Sequence, residues 1–75
     1  MRVYLGGYLS FFSAGQAWVE VRLKEPVRLS DVLGRLGIPP GEIYLTVVNG
    51  QMAEPDKVLV ADHDQVKLYP PVDGG

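Results

Sequence analysis

Gln65-Val66-Lys67-Leu68-Tyr69-Pro70-Pro71-Val72-Asp73-Gly74-Gly75 is the stretch on which the reading of this chain turns. Its first part alternates polar and apolar residues, the period of a half-buried strand, with Val66 and Leu68 facing inward. The strand then has to stop. Pro70 and Pro71 lack the N–H that a ladder needs, and they hold the backbone extended and stiff. Gly74 and Gly75 carry no side chains at all. Composition alone would place a glycine pair at a chain end in roughly 0.5% of cases, so the pair gains its weight from the stiff arm before it. The expected division is a folded domain over 1–69 and an extended tail over 70–75.

Working outward, Arg2-Val3-Tyr4-Leu5 is a second β-forming run with Val3 and Leu5 inward. Both terminal strands read as central, which predicts that they pair in parallel. Gly6-Gly7 interrupts the first, and Tyr8-Leu9-Ser10-Phe11-Phe12 is apolar without a strict period. The chain reverses either in a tight hairpin at Gly6-Gly7 or further on, near Gly15. Phe11 and Phe12 are expected to plug one end of the core. Ala17-Trp18-Val19-Glu20-Val21-Arg22-Leu23-Lys24 has the cleanest alternation, with Val19, Val21 and Leu23 on one face. Trp18, on the opposite face, either covers the edge of a small sheet or serves as a contact residue; the first is favoured. Glu25-Pro26 ends the strand.

Ser30 has the chemistry of an N-cap, and Asp31 suits the first turn of a helix. Val32, Leu33 and Leu36 make a narrow apolar stripe, and Gly37 is placed to close the helix in a left-handed conformation. A helix of about 31–36 cannot persist alone in water and must lie on the sheet; Gly34 would permit close approach. After a rigid crossover at Ile38-Pro39-Pro40-Gly41-Glu42, the run Ile43–Val48 reads as a central strand buried on both faces, or nearly so. Asn49-Gly50 is a tight turn. Residues 51–57 form a loop or short edge segment, and Val58-Leu59-Val60 a brief strand. Ala61-Asp62-His63-Asp64 is a turn whose side chains cap local backbone. Asp62, His63 and Asp64 are adjacent and point in divergent directions, which suits a solvated turn better than a metal site. Strand, strand, helix, strand, short strand, strand is the order of a β-grasp: an α+β domain with a mixed sheet packed on one short helix.

Composition sets the outer bounds. The 75 residues suffice for one domain, which at this size buries roughly 60% of its unfolded surface. With no cysteine and one histidine, neither a disulfide nor a usual zinc site is available, and stability must come from the 47% hydrophobic content. A net charge of −2 with mixed signs excludes electrostatic binding to nucleic acid. No signal-peptide h-region and no apolar run of spanning length is visible, so a cytoplasmic location without membrane contact is expected.

A carboxylate is a poor electrophile until it is coupled to a good leaving group such as AMP. A tail built for that chemistry must enter a narrow nucleotide site in another protein, and backbone without Cβ can do so. Val48-Asn49-Gly50, the segment Asp62–Tyr69 and the ending Pro70-Pro71-Val72-Asp73-Gly74-Gly75 together resemble the ubiquitin-like sulfur carriers typified by MoaD, of molybdopterin synthase, and ThiS, of thiamin biosynthesis. The Pro-Pro-Val-x-Gly-Gly ending is nearer the MoaD branch, although His63 stands where a turn glycine is common and Leu68-Tyr69 where that branch often has two phenylalanines.

The resemblance implies that Gly75 is adenylated by an ATP-dependent, ubiquitin-activating-like adenylyltransferase of the MoeB/ThiF type. It further implies conversion to a thiocarboxylate and delivery of the sulfur to the molybdopterin synthase large subunit or another acceptor. The carrier itself would hold no cofactor, ATP being used by its partner. Gly74 would be the slender approach, Pro70, Pro71 and Val72 the arm, and Tyr69 and Leu68 docking contacts. The same tail would serve a carrier for thiamin or tRNA thiolation, or a ubiquitin-like modifier joined to lysine.

Overall fold

In a computed structural model, the structure describes residues 1–72. In chain order the elements are strand β1 (Arg2–Leu5), a 3-10 helix (Gly7–Ser13), β2 (Trp18–Glu20), β3 (Val27–Arg28), helix α1 (Leu29–Leu36), a short 3-10 turn (Pro40–Glu42), β4 (Leu45–Val48), β5 (Gln51–Met52), β6 (Leu59–Val60) and β7 (Gln65–Tyr69). The main sheet has the order β2-β1-β7-β4-β5, and β3 pairs with β6 in a separate ribbon. β1 and β7 run parallel at its centre, and the other pairs are antiparallel. This is the mixed sheet on one short helix of a β-grasp fold.

The two central strands set the core. Val3 and Leu5 of β1 lie beside Val66 and Leu68 of β7, and all four are buried. Leu29, Val32 and Leu33 of α1 cover them, with Leu9, Ile38 and Val60 closing the margins. Each such side chain contributes about 1.5–3 kcal/mol when it leaves water, which is how an eight-residue helix is held in place. At the helix end Gly37 takes φ 74°, and its N–H donates to the Gly34 carbonyl while that of Ile38 donates to Leu33. These paired bonds form a Schellman closure, as the glycine predicted.

At the helix start the structure departs from the expectation. The helix begins at Leu29, Arg28 is the N-cap, and no side-chain oxygen caps it. Ser30 sits inside the first turn, where its N–H donates to the Pro55 carbonyl; the Leu29 N–H donates to Val58. The loop before β6 therefore supplies the acceptors that the Ser30 hydroxyl was expected to supply.

Other expectations are corrected. The chain does not turn back at Gly6-Gly7; it reverses near Gly15, the longer of the two expected routes, with a helical segment in place of an extended arm. The 3-10 helix spans the gap between β1 and β2, and the αL residues Ala14 and Gly15 follow it. Leu9, not the phenylalanine pair, plugs the core there: Phe11 is 81% exposed and Phe12 only flanks the cluster. β2 is shorter than its alternation, because its neighbour runs out. Val21 still donates to the Met1 carbonyl, but the next inward residue, Leu23, finds the Asp62 carboxylate instead of a strand. β4 is not buried on both faces. It lies next to the edge strand, only Thr46 is buried, and Tyr44 before it is exposed. Gly34 faces open space, so it permits no close approach.

Candidate functional site

The site is the place where the C-terminal arm leaves the sheet. β7 reaches it flanked by strands on both edges. Leu5 pairs with Leu68 on one side and Leu45 with Tyr69 on the other. The last bonds of the two ladders are Gly6 N–H to the Leu68 carbonyl at 2.8 Å and Tyr44 N–H to the Tyr69 carbonyl at 2.8 Å. Pro70 then ends the ladder, since it has no N–H to offer. Pro70 is half-buried, Pro71 is exposed, and Val72 is almost wholly so. Beside this exit the Tyr8 hydroxyl donates to Glu42 Oε2 at 2.8 Å, joining the two 3-10 segments.

The solvent face of the sheet carries an aromatic row that ends at the exit. The Trp18 and Tyr4 rings lie 5.2 Å apart, and the Tyr4 and Tyr69 rings 5.8 Å apart, both tilted. The Arg2 guanidinium sits 4.4 Å from the Trp18 ring centroid. Tilted pairs at these separations suit the ring quadrupoles, and a cation over an exposed tryptophan adds about 0.5–1 kcal/mol. The row crosses β2, β1 and β7 because Tyr4 pairs with Trp18 on one side and Lys67 on the other, with Tyr69 one alternation beyond. Gly6 leaves room for it: a Cβ there would lie 3.0 Å from Tyr69 Cδ1 and 3.3 Å from Tyr4 Cε2.

The opposite end of β7 is fixed by polar side chains. Asn49, at φ 50°, and Gly50, at φ 85°, form the turn between β4 and β5. The Asn49 amide donates to Asp64 Oδ1 at 3.0 Å, and its carbonyl accepts from the Gln65 N–H at 2.9 Å. Asp64 Oδ2 accepts from the Ala61 N–H at 2.7 Å. These donors, the Asn49 amide first and the Ala61 N–H next, hold the Asp64 carboxyl below its ordinary range. The Leu23 N–H does the same to Asp62, helped by the N-terminal ammonium 3.7 Å away. Asp64 thus caps backbone within its own turn, as expected, whereas Asp62 reaches across to Leu23, a distant segment of the chain.

Residues 10–73 match the Mut7-C ubiquitin family. The chain belongs to that family. As a Mut7-C ubiquitin chain it also has the fold of a solved relative, the NMR solution structure of a thiamine biosynthesis protein from Geobacter metallireducens. That comparison has a TM-score of 0.57 at 22% identity, and covers 100% of this chain and 88% of the other. No curated protein matches the sequence. The ubiquitin-like character expected from the tail and strand order is therefore a property of the family.

Of the residues predicted for the site, Tyr69, Pro70, Pro71 and Val72 lie together along the exit. Gly74 and Gly75, with Asp73, lie outside the described residues. Leu68 is corrected: it is fully buried in the core, because the strand's alternation turns it inward, and it offers no docking surface. Tyr4 was missed, although it alternates to the same face as Tyr69 on a strand predicted to be adjacent. Gly6-Gly7 was missed as well. It read as an interruption of β1, and the signal was the parallel register, which brings this doublet beside Tyr69-Pro70. A groove of about 550 Å³ lies between α1 and residues 53–56, with Leu33, Ile38, Ile43 and Tyr44 in its lining. Among the described residues no helix is long and apolar enough to cross a membrane.

Proposed function

We propose that the chain is a sulfur carrier, a co-substrate protein with no chemistry of its own, whose reactive group is the carboxylate of Gly75. The observation that carries this reading is the exit itself. In a ubiquitin-like body the central strand ends at Tyr69 and passes into a Pro70-Pro71-Val72 arm that leads to Gly74-Gly75; its two prolines have no N–H, and it is exposed from Pro71 on. An arm of this kind separates the reacting terminus from the body, so a partner can enclose the glycines in a dry nucleotide site while gripping the body outside.

The chemistry proceeds in balanced steps on partner enzymes. A carboxylate oxygen of Gly75 attacks the α-phosphate of ATP, and pyrophosphate leaves. A persulfide sulfur then attacks the acyl carbon, and AMP leaves. A thiol takes the donor's own sulfur as a disulfide, and Gly75 is left as a thiocarboxylate. An activating adenylyltransferase is the first partner, and the row Trp18–Tyr4–Tyr69 beside the exit is the surface it would cover. A sulfur-acceptor enzyme is the second. The Pro-Pro-Val-x-Gly-Gly ending favours an acceptor for molybdopterin or the tungsten cofactor. The fold relative's description as a thiamine biosynthesis protein favours a thiamin route equally.

Incubation with a competent activating enzyme, ATP and a persulfide donor is expected to raise the protein's mass by about 16 Da, one oxygen becoming sulfur. Deletion of Gly75 is expected to abolish the gain without unfolding the body. No gain with an enzyme active on another carrier sinks the reading, and Gly75-dependent conjugates in extract point to a protein modifier instead.

A further inference from the structure

We propose that Gly6-Gly7 is a seat for the root of the arm, and that these two glycines are positioning residues that set the direction in which Pro70 and the chain beyond it leave the sheet. The steric part stands on geometry alone; its consequence for reaction rate rests on the sulfur-carrier reading.

The glycines of the described chain fall into two groups. A Cβ added at Gly15, Gly34, Gly37, Gly41 or Gly50 would meet nothing within 4 Å. At Gly7 it would lie 2.8 Å from Pro70 Cγ and 3.4 Å from Cδ; at Gly6 it would lie 3.0 Å from the Leu68 carbonyl oxygen and 3.0 Å from Tyr69 Cδ1. Apart from Tyr4 Cε2, 3.3 Å from the Gly6 position, the obstructing atoms belong to the end of β7 and to Pro70, the first residue of the arm. They cannot swing aside cheaply, since one is backbone and the proline ring is closed onto its own backbone nitrogen.

Local backbone needs do not explain both glycines. Gly6 has φ −74° and ψ 157°, a conformation any residue adopts. Gly7, at φ 51°, has a conformational reason as well as a steric one. The buried Leu9 anchors the 3-10 helix below, and its N–H donates to the Gly6 carbonyl at 3.0 Å. On the far side of β7, Tyr44 holds the Tyr69 carbonyl. Pro70 is therefore held from one edge by the glycine doublet while the strand before it is held from the other. An arm whose root, Tyr69-Pro70, is held from both edges of the strand points one way, which is what delivery into a narrow site requires. Misplacement of a reacting group by about 1 Å can cost on the order of 100-fold in rate.

The test uses Gly7→Asn, because asparagine accepts the left-handed conformation and leaves the steric conflict as the main change. Pro70→Ala and the double variant complete the cycle, since alanine at 70 removes the obstructing Cγ. NMR reads the cross-peaks between residue 7 and residue 70, with Val3–Val66 and Leu5–Leu68 contacts as the control for the body. Pyrophosphate release with the activating enzyme reads kcat and KM.

Gly7→Asn is expected to lose the residue 70 contact, keep the body contacts, and lower kcat by about 10-fold or more with KM within about threefold. The double variant is expected to recover most of the lost kcat, a coupling that independent sites would not show. Wild-type cross-peaks and kcat in Gly7→Asn overturn the proposal, as does an equal loss in the double variant. If wild-type protein releases no pyrophosphate with a competent enzyme, the sulfur-carrier reading falls, and the NMR comparison still decides whether the seat exists.

Discussion

The two ends of β7 are held by opposite means. At Gln65 the strand is tied by added polar groups: Asn49 bridges Asp64 and the Gln65 N–H, and Asp64 caps Ala61. At Tyr69 no polar side chain among the described residues ties it: beyond the last ladder bonds, from the Gly6 and Tyr44 N–H groups, it is held where groups are missing. Gly6 and Gly7 have no side chains, Pro70 has no N–H, and close packing of backbone, ring and proline does the rest. A polar tie can be weakened by degrees, through a lost bond or a proton. A steric seat has no intermediate setting, because a methyl group either fits or displaces the strand. The graded end closes a turn, and the ungraded end aims the arm.

The largest effect is expected where the ungraded end meets backbone. Gly6→Val puts a branched side chain against the Leu68 carbonyl and the Tyr69 ring, and is expected to cost about 3 kcal/mol by overpacking. Urea denaturation measures it. A loss below about 1 kcal/mol would mean that β7 yields easily, and the contrast between its ends would fail. At the graded end, Asn49→Ala removes side-chain bonds and leaves alanine at φ 50°, and is expected to cost about 2 kcal/mol. Asn49→Gly keeps the backbone conformation easy and is expected to cost less, so the difference between the two variants separates strain from hydrogen bonding.

Protons sharpen the same contrast. Asp64 and Asp62 have carboxyls held below the ordinary value by backbone and amide donors. Below that ordinary value the unfolded chain takes up protons first, so folding stability is present above it and declines as pH falls through the lowered folded values. Asp64→Asn removes one titrating group and is expected to flatten the acid side of the stability curve, while Gly6→Val lowers the whole curve without changing its shape. Denaturation midpoints measured from neutral pH down to about pH 2 check both, with unfolded carboxyls titrating near 4. An unchanged acid slope in Asp64→Asn would show that its capping bonds do not discriminate the charged form.

The sequence spoke most clearly where one local rule sufficed. Alternation placed Val3, Leu5, Val66 and Leu68 inward, Asn49-Gly50 made its turn, and Gly37 closed its helix. It misled where a partner decided the outcome. The alternation of Ala17–Lys24 continues past the strand, because β1 has no residue left to pair with it. Ser30 has cap chemistry, but the loop at Pro55–Val58 reached the helix donors first. Phe11 is as apolar as Leu9, yet only Leu9 falls on the inward side of the 3-10 turn. At the site, the proline arm was legible because it breaks a period. The seat was not, because a glycine chosen for the room it leaves looks, in sequence, like a glycine chosen for its backbone.

Gly34 gives the smallest and cleanest test of that distinction. It lies within α1, exposed, and a Cβ there would meet nothing within 4 Å. It shares neither the packing of Gly6 nor the positive φ of Gly7. Glycine in a helix costs backbone entropy with no side chain to offset it, so Gly34→Ala is expected to stabilise the fold by about 0.5–1 kcal/mol. A thermal shift of several degrees would report it, given about 4–8 °C per kcal/mol for a domain of this size. The same substitution at Gly6 has the opposite expected sign, although glycine to alanine is the change in both. If both positions lose stability, α1 and β7 tolerate an added methyl equally poorly and the seat has no special status. If Gly34→Ala gains while Gly6→Ala loses, the sign follows the space beside each Cα, which is the property that separates the root of the arm from the rest of the chain.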